Sequence, residues 1–146
     1  MVGKEIFYFI KTTLDKYNEI ICMKATELGL TKGEADVLLF FHINPSLRNA
    51  KDLVKRTNVS KAYVSKAMSL LIDKKLIKIV SDKSDKRYQN IKINNSALKI
   101  INTLEKEHDI FFKNMLKGLD KNEKEYFIKV LSKIEKNIVG MGEKYD

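Results

Sequence analysis

One proline, one cysteine, two histidines and no tryptophan occur in these 146 residues. Each scarcity excludes something. A lone Cys22 cannot build an intramolecular disulfide framework, which points to a reducing compartment. One proline and six glycines leave little room for loops, so a mostly helical fold is expected. No run of 18 apolar residues is present, so no spanning helix and no membrane partner are expected. Residues 1–16 carry charges throughout and lack the apolar run of a signal peptide, so a soluble, cytoplasmic protein is expected. A Gly-rich phosphate loop, a Ser–His–Asp arrangement with its elbow and a metal tetrad are all missing. The expectation is therefore no enzyme, no catalytic residue and no cofactor. His42, His108, Glu107 and Asp109 tempt a metal reading, but two histidines without a clear third ligand do not make a zinc site.

What the chain does have is a concentrated positive charge. Apolar residues make up 44% and charged residues 32%, a globular balance that fits one domain over 1–146. The net charge is +9. Between Arg48 and Lys92 stand 13 Lys and Arg against 4 Asp and Glu, so 13 − 4 = +9. The remaining residues carry 15 of each sign, and the whole excess lies in under a third of the chain. Such a block in a folding sequence is the electrostatic footprint for a polyanion.

Hydrophobic spacing orders the elements. Phe7, Ile10, Leu14, Tyr17 and Ile21 recur at three and four over a first helix, 4–28, which Gly29 ends. Thr31 and Glu34 form a capping box for a second helix carrying Val37, Leu38, Phe40 and Phe41 inward, and Pro45 forces its end. Asn49 caps a third helix, with Leu53 and Val54 inward and Lys51, Lys55 and Arg56 outward. Asn58 falls where the following turn needs positive φ. Ser60 caps the fourth helix, and Val59 can staple against Val64. Strands follow at 76–80, with Ile77 and Ile79 alternating against Lys78, and at 87–93, joined by a polar tip. Asn95 or Ser96 then caps a fifth helix to about Lys117, with an apolar face from Leu98 to Leu119. After Gly118, Asp120 to Glu123 is a capping box for a sixth helix with Phe127, Leu131, Ile134 and Ile138 at heptad-like spacing.

At 100° per residue the fourth helix separates two faces. Val64, Ala67, Met68 and Leu71 turn one way; Ala62, Ser65, Lys66 and Ser69, flanked by Lys61 and Tyr63, turn the other. Small side chains let a helix enter the major groove, while hydroxyls and ammoniums can meet base edges and phosphates. The bland alternative is an ordinary solvated face. The hairpin tip, with Lys83 and Lys86, can reach the negative potential of a narrow minor groove, or can be a solvated loop. The first, fifth and sixth helices carry wider apolar faces than a small DNA-reading lobe needs. Residues 4–28 and 95–140 therefore read as a helical dimerisation region around a winged helix-turn-helix at 31–93.

Taken together these patterns resemble the MarR family of bacterial transcription regulators, along almost the whole chain. The residues that carry the resemblance begin with Leu30-Thr31-x-x-Glu34 before Val37-Leu38, and Asp52-Leu53-Val54. They continue with Asn58-Val59-Ser60-x-x-x-Val64-Ser65-Lys66, Leu70-Leu71 and Lys75-Leu76-Ile77. The tip Asp82-x-Ser84-Asp85-x-Arg87 resembles the acid-and-arginine wing motif, and Leu119-Asp120-x-x-Glu123 the start of the last helix.

The resemblance implies a mainly α fold with a small β-hairpin wing, and a homodimer that represses or tunes promoters on double-stranded DNA. It implies that Lys61, Ala62, Tyr63, Ser65 and Lys66 face the major groove, with Ser60 at the head of the same helix. It implies that Arg87 enters the minor groove or anchors the wing through Asp85. It also implies a pocket between the dimer helices and the reading lobes, often for small phenolic or lipophilic effectors. Some members use a first-helix cysteine as a redox sensor, but Cys22 lies only nine residues before Thr31 and reads as structural. Two other classes stay open: an architectural DNA binder without sequence choice, and a protein-interaction module that has lost DNA binding.

Overall fold

The computed structural model describes residues 2–57, 59–81, 83–85 and 89–145. Helices α1 (Val2–Glu27), α2 (Lys32–Ile43), α3 (Ala50–Thr57) and α4 (Lys61–Asp73) come first. Strands β1 (Ile77–Ser81) and β2 (Gln89–Ile93) follow, then a 3-10 turn at Asn95–Ala97 and helices α5 (Leu98–Met115) and α6 (Lys121–Tyr145). This is the expected mainly α fold with a two-stranded wing. The chain forms two compact units, Met1–Ile110 and Phe111–Asp146. Among the described residues no helix is long and apolar enough to cross a membrane.

Local chemistry places most boundaries. Thr31 and Glu34 close a reciprocal capping box: Glu34 N donates to Thr31 Oγ1 at 3.2 Å, and Thr31 N to Glu34 Oε2 at 2.7 Å. Asp120 and Glu123 do the same for α6, at 2.9 and 2.8 Å. Asn49 Oδ1 accepts from Asp52 N at 2.9 Å at the head of α3, and Ser60 Oγ from Tyr63 N at 3.1 Å at the head of α4. Gly29 and Gly118 take φ of 73° and 89°, the left-handed geometry that lets α1 and α5 stop. The turn geometry expected of Asn58 and the start of the second strand at Arg87 fall outside the described residues.

The first unit has a closed core. Ile21 and Ala25 of α1, Val37, Leu38 and Phe41 of α2, Leu53 of α3, and Val64, Ala67 and Leu71 of α4 meet Ile77, Ile91, Ile101 and Leu104. The predicted inward faces of α2 and α4 are thus the buried ones. The hairpin is antiparallel with Ile77 opposite Ile93 and Ser81 opposite Gln89. Ile91 N donates to the Arg48 carbonyl, which fastens the base of the wing to the segment before α3.

Two expectations need correction. Neither Asn95 nor Ser96 caps the fifth helix: the 3-10 turn Asn95–Ala97 precedes that helix, and Asn94, the N-cap of this turn, makes no side-chain cap bond. The Asn94 and Ser96 side chains instead donate to the Lys75 carbonyl, at 2.9 and 2.7 Å. Those two bonds hold Lys75 at φ 59°, in a left-handed turn where a lysine is uncommon. On β1 the alternation is incomplete, because Ile77 is buried while Ile79 is exposed. A two-stranded hairpin covers only the part of its face that lies over the helices.

Candidate nucleic-acid interface

The third and fourth helices present the positive face. The inward residues Leu53, Val64, Ala67 and Leu71 fix the roll of each helix, so the opposite arcs must point outward. Lys51, Lys55 and Arg56 of α3 and Lys61 and Lys66 of α4 are all exposed. Among the described residues none of these five forms an ion pair. Unneutralised cations on adjoining helices are what a phosphate backbone requires. A cavity of about 410 Å³ lies between the two helices, lined by Ala50, Val54 and Val64 together with Lys51, Lys55, Lys61 and Ser65.

The structure brings the helical part of the predicted site together. Ser60, Lys61, Ala62, Tyr63, Ser65 and Lys66 are exposed and lie within the cap and first two turns of α4. Ser69 continues that arc one turn on, its hydroxyl donating back to the Ser65 carbonyl at 3.0 Å. Lys83 is exposed on the wing and Asp85 is half-buried there. Lys86 and Arg87, and with them the expected Asp85–Arg87 pair, lie outside the described residues.

Tyr63 has a more constrained setting than its spacing suggests. It is 38% exposed, and its hydroxyl donates to Asp36 Oδ2 of α2 at 2.9 Å. Lys32 Nζ holds both oxygens of the same carboxylate, at 2.9 and 2.7 Å. Burial first, then the Asp36 charge and hydrogen bond, push the Tyr63 phenol up to about 12. The ring rests against Gly33, where an added Cβ would meet Tyr63 Cζ at 3.3 Å and Ala67 Cβ at 3.4 Å. Glycine lets α2 and α4 approach closely here, since an added Cβ would make the neighbouring side chains give by a few tenths of an ångström.

A second tie joins the same two helices at the other end of α4. Glu34 is fully buried. Lys74 Nζ, just past α4, lies 2.8 Å from Glu34 Oε1 and also donates to the Gly29 carbonyl at 2.8 Å. The Glu34 contact meets the distance of an ion pair but not the angle of a hydrogen bond, so charge rather than a directed bond compensates Oε1. Burial pushes the Glu34 carboxyl up, but Lys74 and the two Thr31 bonds outweigh it and hold the group below its ordinary value. Sequence reading found Glu34 only as a capping residue. Nothing local signals its partner, 40 positions away.

The histidines are structural bridges. Tyr17 Oη lies 3.0 Å from His108 Nδ1, and His42 Nε2 lies 3.4 Å from Glu105 Oε2. Among the described residues no three His, Cys, Asp or Glu side chains gather as a metal site would need. Cys22 is a free, exposed thiol.

Comparison with known proteins agrees with this architecture. Residues 28–87 match the sequence pattern of the MarR family. No curated protein matches the chain. Among solved structures, a MarR protein from Peptoclostridium difficile is 26% identical, with TM-score 0.80 over 97% of this chain and 92% of that one. A MarR-family regulator from Listeria monocytogenes, solved with a 26mer DNA, is 20% identical with TM-score 0.80, covering 90% of this chain and 87% of that one. BpsR of Bordetella bronchiseptica, whose DNA binding is regulated by 6-hydroxynicotinic acid, is 17% identical with TM-score 0.68, covering 89% and 92%. Residues 28–87 therefore match the MarR family's sequence pattern, and the chain as a whole shares the winged-helix fold of the MarR-family structures that it resembles.

Proposed function

We propose that this protein is a homodimeric, cytoplasmic repressor that reads a near-palindromic operator. The lobe at 31–93 binds the DNA, and 4–28 with 95–140 form the dimerisation region. The observation that carries the reading is the α3–α4 face: five exposed cations without acidic partners among the described residues surround the small side chains of Ala62, Ser65 and Ser69. Lysines 61 and 66 bind phosphates together with α3, while Ala62, Ser65 and the first turn of α4 lie against base edges. Lys83, Lys86 and Arg87 of the wing enter the minor groove, with Asp85 anchoring the arginine.

Exposed apolar side chains support the dimer. On α1 Phe7 is 72% exposed, beside exposed Ile10 and Leu14; on α6 Ile138 is 59% exposed, beside exposed Leu131 and Ile134. Faces of this kind call for a partner, and a two-fold copy sets the reading helices about 34–36 Å apart, one turn of DNA. A small phenolic or lipophilic effector then releases the operator by favouring a dimer with the wrong spacing.

Selection from random duplex DNA, followed by titration at two salt concentrations, tests the proposal. An enriched inverted repeat and a steep salt slope are expected. Salt-dependent binding without an enriched sequence would transfer the assignment to a non-specific architectural protein.

A further inference from the structure

We infer that Asp36 is a positioning residue for base reading, acting through Tyr63 without touching the DNA. This rests on the proposed reading role of α4. Three observations converge on it. Asp36 is on α2, yet its carboxylate takes the Tyr63 hydroxyl at 2.9 Å across 27 residues of sequence. Lys32 grips the same carboxylate through both oxygens, so the acceptor is held from the α2 side as well. Gly33 removes the one Cβ that would push the Tyr63 ring away, at 3.3 Å.

The consequence concerns the angle and depth of the reading helix. Tyr63 is the third residue of α4, and its backbone N is already fixed by the Ser60 cap at 3.1 Å. With its side chain bonded to Asp36, the first turn of α4 is held at its backbone by its own cap and fastened to α2 by the Tyr63 side chain. Core packing through Val64, Ala67 and Leu71 sets the roll of α4, and the directed bond adds a fixed distance and angle between its first turn and α2. Ala62 and Ser65 flank Tyr63 on the exposed arc, so a small shift of this turn moves the groups proposed to meet base edges. The phenol is thereby a strut between two helices, and the acid it needs is tolerated beside a cationic surface because Lys32 neutralises it.

The test uses the full-length protein, the duplex enriched by selection and a scrambled duplex of equal length. The readouts are the ratio of the two affinities, the salt slope and the thermal midpoint. Tyr63→Phe removes only the hydroxyl, and Asp36→Ala removes its acceptor. Each should lower the affinity ratio about tenfold, the worth of one hydrogen bond to a charged group. The scrambled duplex should keep its salt slope. The double variant should be no worse than either single one, because both break the same link. Asp36→Asn keeps an oxygen acceptor and should restore the ratio to within about twofold, while binding to every duplex tightens through the lost negative charge.

An unchanged ratio in Tyr63→Phe would overturn the inference, even if Asp36→Ala failed to fold. So would additive losses in the double variant, or equal losses on both duplexes with a lowered thermal midpoint, the mark of a merely structural bond. A wild-type protein that prefers no sequence would instead refute the proposed function, and this inference with it.

Discussion

The two compact units solve the burial of apolar side chains in opposite ways. Residues 1–110 enclose Leu38, Leu71, Ile101 and Leu104 at full burial. In the second unit no residue from 111 to 142 is buried, although α6 carries Phe127, Leu131, Ile134 and Ile138 at helical spacing. A 25-residue helix with such a stripe and no core of its own takes its stability from outside itself. The first unit folds around what it contains; the second leaves its apolar stripe exposed. Under the proposed function this separates two duties, because a reading surface needs a rigid support while the distance between two such surfaces must be adjustable.

The sharpest way to break the comparison is to cut into the closed core. Leu71→Ala should destabilise the protein by about 2–5 kcal/mol in denaturant unfolding, because α4 packs through this side chain. Removing the buried charge, Glu34→Ala, should cost about 3 kcal/mol by the same assay, since Lys74 loses its partner and the α2 cap loses an acceptor. In α6, by contrast, Leu131→Asp with Ile138→Asp should leave the unfolding of the reading lobe intact and convert dimer to monomer in sedimentation velocity. If the paired substitution unfolded the whole chain instead, the two units would not be separable.

Charge and pH sharpen the same contrast more gently. Glu34 has its folded value lowered below the ordinary 4.5, so its stabilisation is complete above that pH and fades as pH falls through the folded value. Urea midpoints should hold from pH 8 to about 5 and fall below 4.5, with Glu34→Gln flattening that decline. Tyr63 runs the other way. Its value is raised to about 12, so its bond to Asp36 is kept below the ordinary 10.0 and lost only as pH climbs through about 12. The smallest effects belong to the exposed cations. Lys61→Ala and Lys66→Ala should each weaken binding to all duplexes alike and reduce the salt slope by about one, with unchanged thermal midpoints.

How much was legible beforehand follows the range of the interactions. Thr31–Glu34, Asn49–Asp52, Ser60–Tyr63 and Asp120–Glu123 are bonds across three positions, and each was readable as a cap. The start of α5 was misread because its polar residues serve a distant carbonyl, that of Lys75, rather than their own helix. The exposure of Ser65 and Lys66 followed from period alone. The fixing of Tyr63 did not, because Asp36 and Lys32 belong to another helix.

By itself the sequence determined the order of the elements, the caps of α2, α3, α4 and α6, the inward faces of α2 and α4, and the concentration of all net charge between Arg48 and Lys92. These depend on spacing along one chain segment, which periodicity and side-chain chemistry reveal directly. Only the tertiary structure decided which polar groups find each other across helices: Glu34 with Lys74, Tyr63 with Asp36, and the Lys75 turn with Asn94 and Ser96. Such pairs span 19 to 40 positions and arise when buried faces bring two helices, or a turn and a helix start, within 3 Å. No local pattern records them, because the packing that creates each pair is the sum of many apolar contacts made elsewhere.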